Sequence, residues 1–153
     1  ESVTASDFRA AITAGMALTK RQCLELTVTL HRIFRREEAQ EKLDELEREA
    51  AGRDAAYRAL LGTWLMKEVY PSFAPRFGFS ADRTFVRAFT AASQHWDHDV
   101  RWQEASLELE ILMRNKAGEA LARQKRDTLL FHLWLHAGAE SKRQDRPLGN
   151  AQA

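Results

Sequence analysis

Proline and glycine are scarce in this chain, with three prolines and seven glycines in 153 residues. Sheet proteins use both heavily in tight turns, so the shortage argues for helices. Cysteine is scarcer still. Cys23 stands alone, which excludes an intrachain disulfide or a thiolate zinc site and fits a reducing, intracellular compartment. An excess of one charge is also missing: 23 Lys and Arg face 22 Asp and Glu, for a net charge of +1. Such a chain has no strong field with which to hold nucleic acid, and no nucleic-acid partner is expected. No apolar run approaches the roughly 20 residues of a membrane-spanning helix. The best candidate, Leu129 to Leu135, is far shorter and contains His132. No transmembrane segment is expected, which leaves peripheral contact with lipid open. No secretory signal opens the chain. It begins at Glu1 rather than Met, read either as trimming or as the end left by a removed targeting peptide. The expected setting is mitochondrial ahead of cytoplasmic.

What is present is ordinary globular material, 44% hydrophobic and 29% charged, enough for one core. The expectation is an all-α fold: one helical bundle of about five helices over residues 1–140, then a polar tail, Ser141 to Ala153. In the first helix Phe8, Ile12 and Met16 recur at four-residue steps after Ser6. The second opens with a capping box, Thr19 and Gln22, and Leu18 and Cys23 are placed as its hydrophobic staple. Cys23, Leu26, Leu30 and Ile33 continue as an apolar stripe. Arg35 to Glu49 is dense in charge but keeps Leu43 and Leu46 at helical spacing. It reads as a solvated helix with Glu38–Lys42 and Asp44–Arg48 pairs, or as a short coiled-coil contact. Gly52 breaks the chain before a third helix bearing Tyr57, Leu60, Leu61, Trp64 and Leu65. That helix should stop before Pro71.

An aromatic loop is expected from Pro71 to Phe79, where Phe73, Phe77 and Phe79 either plug the core or meet a partner. Ser80 is placed to cap a fourth helix, with Asp82 in its first turn and Phe85, Phe89, Trp96 and Val100 on its core face. Asp97 or Asp99 restarts the helix, and Trp102, Leu109, Leu112 and Met113 continue the face. Gly118 is taken to separate a last helix, which ends near Ala137 with Gly138 as its stop. The end of that helix, Leu129 to Leu135, is apolar all round, which predicts burial on more than one side. A face shared with a neighbour would provide it, so Leu130, Phe131 and Trp134 join the three phenylalanines as candidate partner contacts. The expected core comprises Leu26, Leu30, Leu60, Trp64, Phe85, Phe89, Trp96, Leu109, Leu112, Leu129 and Leu133.

Catalytic motifs are wanting. Cys23 lies on a core face, and no nucleophile elbow, P-loop or dinucleotide loop exists. His95 and His98 share one helical face, as do His132 and His136. Metal binding through these four with Asp97 or Asp99 is one alternative. The other reading makes them caps and core residues. Arg32, Arg35 and Arg36 form one basic cluster and Arg123, Lys125 and Arg126 another, but acids lie close to both. No cofactor is expected.

One segment carries a resemblance. Gly78-Phe79-Ser80-x-Asp82-x-x-x-Val86-x-x-Phe89, following a helix with Lys67-Glu68-Val69, resembles the central signature of the small eukaryotic, all-helical family called protein C-ten. Leu18-Thr19-x-x-Gln22, opening an amphipathic helix that reaches Phe34, is similar to that family's start. The likeness covers roughly residues 18 to 113. It implies a compact helical domain with no established enzymatic activity and no catalytic residues to carry over. The chain departs from the pattern by inserting Tyr70 to Pro75 and by adding the last helix and tail, which look recruited for contacts with other subunits. The functional expectation is a non-catalytic accessory or scaffolding subunit of a larger multi-protein assembly, with protein subunits as partners. A free-standing helical module that binds a partner helix or lipid stands beside it, as does the metal-binding reading.

Overall fold

The computed structural model describes residues 18–78 and 83–144. These residues form helices and turns with no strand among them, so the fold is all-α. Among the described residues six helices are longer than one turn, where about five were expected for the chain: α1 (Lys20–Phe34), α2 (Glu37–Ala50), α3 (Asp54–Trp64), α4 (Arg83–His95), α5 (Val100–Leu112) and α6 (Lys116–Gln144). The first-helix pattern at Phe8, Ile12 and Met16, the Phe79 contact and the Ser80 and Asp82 cap lie outside the described residues.

α1 starts as its sequence requires. Thr19 Oγ1 accepts from the Gln22 backbone N–H at 3.2 Å, and the Gln22 side chain accepts from the Thr19 N–H at 2.8 Å. Leu18 and Cys23 are both buried beside this cap, the positions of a hydrophobic staple. The charge-dense segment is a separate helix, α2, whose seam of Leu43 and Leu46 is buried within the same chain. It therefore packs inside the bundle and is not free for a coiled-coil contact. The side-chain pairing on α2 also differs from expectation. Lys42 pairs with Glu45 at 2.9 Å, and Arg48 donates to the Asp44 backbone carbonyl. The chain turns into α3 through Ala51 and Gly52, both at positive φ.

Pro71 does not end the third helical segment. α3 passes into a π-helical turn (Leu65–Val69), one α turn (Tyr70–Phe73) and a 3₁₀ turn (Ala74–Phe77) before Gly78 at φ 79°. A proline ring inside an α-helix clashes with the carbonyl four residues back. The wider π turn, with the Tyr70 N–H bonded to the Leu65 carbonyl, re-registers the chain just where that clash would fall. The expected aromatic loop is thus helical. Phe73 is fully buried and meets Phe85 edge-on at 5.5 Å and Tyr70 at 6.1 Å. It is a plug in the core rather than a surface contact.

The core gathers Leu26, Leu30, Phe34, Leu43, Leu61, Phe73, Phe85, Trp102 and Leu109. Leu60, Trp64, Phe89, Trp96 and Leu112 pack against it partly buried. Trp64 stands edge-on to Phe34 at 5.7 Å. Asp99, not Asp97, restarts the helix: it caps α5 by accepting from the Trp102 N–H at 2.9 Å, and it pairs with Lys20 of α1. His31 adds a second tie from α1 to α5, with Nε2 3.1 Å from the Ala105 carbonyl.

The turn from α5 to α6 lies at Met113–Asn115, ahead of Gly118. Arg114 occupies the left-handed region at φ 57°, a position that favours glycine. Its N–H bonds to the Ile111 carbonyl and the Asn115 N–H to the Glu110 carbonyl, which is the Schellman arrangement. The side chain offsets the backbone cost. Its guanidinium reaches Asp44 at 2.5 Å, Glu47 at 3.0 Å and Gln40 Oε1 at 2.9 Å. Gln40 in turn donates to the carbonyls of Phe34 and Leu112, groups at the C-terminal ends of α1 and α5.

Candidate partner-docking surface

α6 is 29 residues long and α5 only 13. At about 1.5 Å of rise per residue, α6 outruns its hairpin partner by roughly 24 Å. The first half packs on α5 through the buried Ala122, and Lys125 holds Asp97 of the α4–α5 turn at 3.2 Å. From Leu130 to Arg143 every side chain is exposed. Leu130 is 43% exposed, Phe131 56%, Leu133 50%, Trp134 69% and Leu135 46%.

This corrects three expectations. The last helix does not stop at Gly138 but continues to Gln144, into the segment read as a tail. The rest of that tail, from residue 145, lies outside the described residues. Leu133 is not a core residue, and Leu129 is only partly covered. The burial predicted from an all-round apolar helix is absent within the described part of the chain. Five large apolar side chains close together on one protruding helix form the kind of patch that marks an interaction surface.

Of the other candidate contacts, Phe77 is partly covered and stacks edge-on to Phe73 at 6.1 Å. At the base of the protruding half lies a cavity of about 390 Å³, lined by Asp97, His98, Leu121, Lys125, Leu129 and His132. It brings His98 and His132 to one site, while His95 and His136 are exposed elsewhere on α4 and α6. No group of three or more His, Cys, Asp or Glu side chains able to hold a metal exists among the described residues. The four histidines are thus not brought to one site: only His98 and His132 line this cavity.

The remaining candidates for chemistry are buried or paired within the fold. Burial pushes the Cys23 thiol up to about 11, which suppresses the thiolate. Burial likewise raises the Glu110 carboxyl above its ordinary range, against a smaller lowering by the Asn115 amide that donates to it at 2.8 Å. Both basic clusters are partly neutralised: Arg35 pairs with Glu108, Arg123 with Glu119, Lys125 with Asp97 and Arg126 with Asp127. No helix among the described residues is long and apolar enough to cross a membrane. No family model, curated protein or solved structure matches the chain.

Sequence reasoning picked out Leu130, Phe131 and Trp134 through the all-round apolar pattern. It missed Leu121 and Leu135, also exposed on α6. It missed Glu110 as well, because the neighbours of that carboxyl, Asn115 and Gly118 among them, come together only when the α5–α6 turn forms.

Proposed function

We propose that this protein is a non-catalytic accessory or scaffolding subunit that joins a larger protein assembly through the distal half of α6. The observation that carries the reading is the exposure of Leu130, Phe131, Leu133, Trp134 and Leu135 on a helix that extends past the bundle. Each such side chain forgoes on the order of 1 kcal/mol of burial, and a partner surface recovers it. The resemblance to protein C-ten, which implies no catalytic residues, agrees with this reading. The cavity at the base of α6 favours a second reading, a free-standing module that takes a partner helix along the groove beside Leu121 and Leu129.

Affinity isolation of the tagged protein under native conditions tests the subunit reading. The expected result is stoichiometric recovery with defined partner proteins, lost in a Phe131→Glu, Trp134→Glu variant whose circular dichroism is unchanged. Recovery of the protein free of partners, with the variant indistinguishable from the native chain, would overturn it.

A further inference from the structure

The distal half of α6 carries a self-complementary pattern, and the inference drawn from it rests on reading that half as a docking surface. Arg126, Leu130, Leu133, Ala137 and Glu140 recur at alternating steps of four and three, which puts them on one side of the helix as a coiled-coil seam. An antiparallel copy with Leu133 on the two-fold axis sets Arg126 opposite Glu140 at both ends. It also sets Leu130 against His136, Ala137 against Leu129 beside the seam, and Leu133 against itself. Between Asp127 and Glu140 the chain has no Asp, Glu, Lys or Arg, so no like charges meet along the apolar stretch. A parallel copy would instead stack Arg126 on Arg126 and Glu140 on Glu140.

The end charges are in a state to pair. Glu140 is exposed and forms no ion pair among the described residues. Arg126 donates to its neighbour Asp127, at 3.0 Å from Nε and 2.8 Å from Nη2, and keeps part of its surface in water. The seam also continues the side of α6 that carries Ala122 against α5, so a second copy takes up burial where α5 ends. We propose that the distal half of α6 pairs antiparallel with the same segment of a second copy of this chain, across a two-fold axis at Leu133. Such isologous contacts are the commonest route to a dimer. Phe131 and Leu135 fall on the opposite side of the helix and remain open to other subunits.

The test uses the full chain. Leu133→Cys puts a thiol on the axis, and the only other thiol, Cys23, is fully buried. Mild oxidation is expected to give a disulfide-linked dimer with Leu133→Cys but not with Leu135→Cys. In sedimentation equilibrium, Arg126→Glu and Glu140→Arg should each weaken the dimer by about tenfold, and the two together should restore it. A folded chain that stays monomeric at about 100 µM, a concentration that would reveal even weak association, would overturn the proposal. So would equal cross-linking at positions 133 and 135. The two readings fail separately. A monomer that still captures other proteins through Phe131 and Trp134 sinks only the self-pairing. A dimer recovered with no other protein upholds the pairing and sinks the assembly role.

Discussion

Glu110 shows how one side chain sets the α5–α6 turn. Its carboxyl accepts from Asn115 Nδ2, and a Cβ at Gly118 would overlap it. Gly118 lets the ends of the Glu110 and Asn115 side chains close in, and a larger residue would make them shift; it is not a break between helices, the role its sequence position suggested. Burial raises the Glu110 pKa in the fold. The sign follows by linkage. A raised folded pKa means that the protonated form fits the fold best. Its contribution is fully present below the ordinary carboxylate pKa and is lost as pH rises through the folded value. Above the folded value the ionised group costs stability. Glu110→Gln keeps an oxygen for the Asn115 amide and removes the charge. Denaturant melts of the two proteins should coincide below the ordinary carboxylate range, and the variant should become the more stable as pH rises through the raised value. A variant less stable at neutral pH would show that the charge is needed by a partner group. Nothing in the local sequence announces this carboxyl, because its enclosure depends on a turn closed from the far side by Asn115 and Gly118.

Helix starts were more legible than helix ends. Thr19 and Gln22 identify the start of α1 because a capping box is local chemistry, satisfied within four residues. The ends at Pro71 and Gly138 were misread because both are decided by what surrounds the chain. At Pro71 a π turn absorbs the ring. At Gly138 nothing lies within 4 Å of a would-be Cβ and the helix runs through. Arg114 is the converse: a non-glycine closes α5 because Asp44, Glu47 and Gln40, distant in sequence, hold its side chain. Gly138 offers a direct check on the continuity of α6. Alanine is favoured over glycine inside a helix by about 1 kcal/mol, and the open surroundings add no penalty. Gly138→Ala should slow amide exchange from about Leu135 to Gln144 by roughly fivefold, the factor such an energy gives. Unchanged exchange would mean that α6 ends near Ala137, as the glycine alone suggests.

For the whole molecule, the core and the docking surface were read from the same signal, apolar residues at helical spacing, and that signal cannot say which side has a partner. It located Leu26, Leu30, Phe85 and Leu109 correctly in the core. It also assigned Leu133 there, although α5 is too short to reach it. Helix length relative to its neighbour, a property of the assembled bundle, is what separates the two groups. The end of α6 takes little part in the core, since every side chain from Leu130 to Arg143 is exposed. A chain ending at Leu129 should therefore keep its fold. Its melting midpoint should lie within about 2 °C of the full chain at low concentration, since surface groups away from special features contribute under about 0.5 kcal/mol. The same truncation should abolish dimerisation and capture of other proteins. Differential scanning calorimetry over a concentration series separates the two effects. If the full chain is dimeric, its midpoint should climb with concentration while that of the truncated chain stays fixed, because association stabilises only the state that associates. A fall of 10 °C or more in the dilute truncated chain would instead assign Leu130 to Leu135 to the core of the monomer, and the docking role of α6 would fall with it.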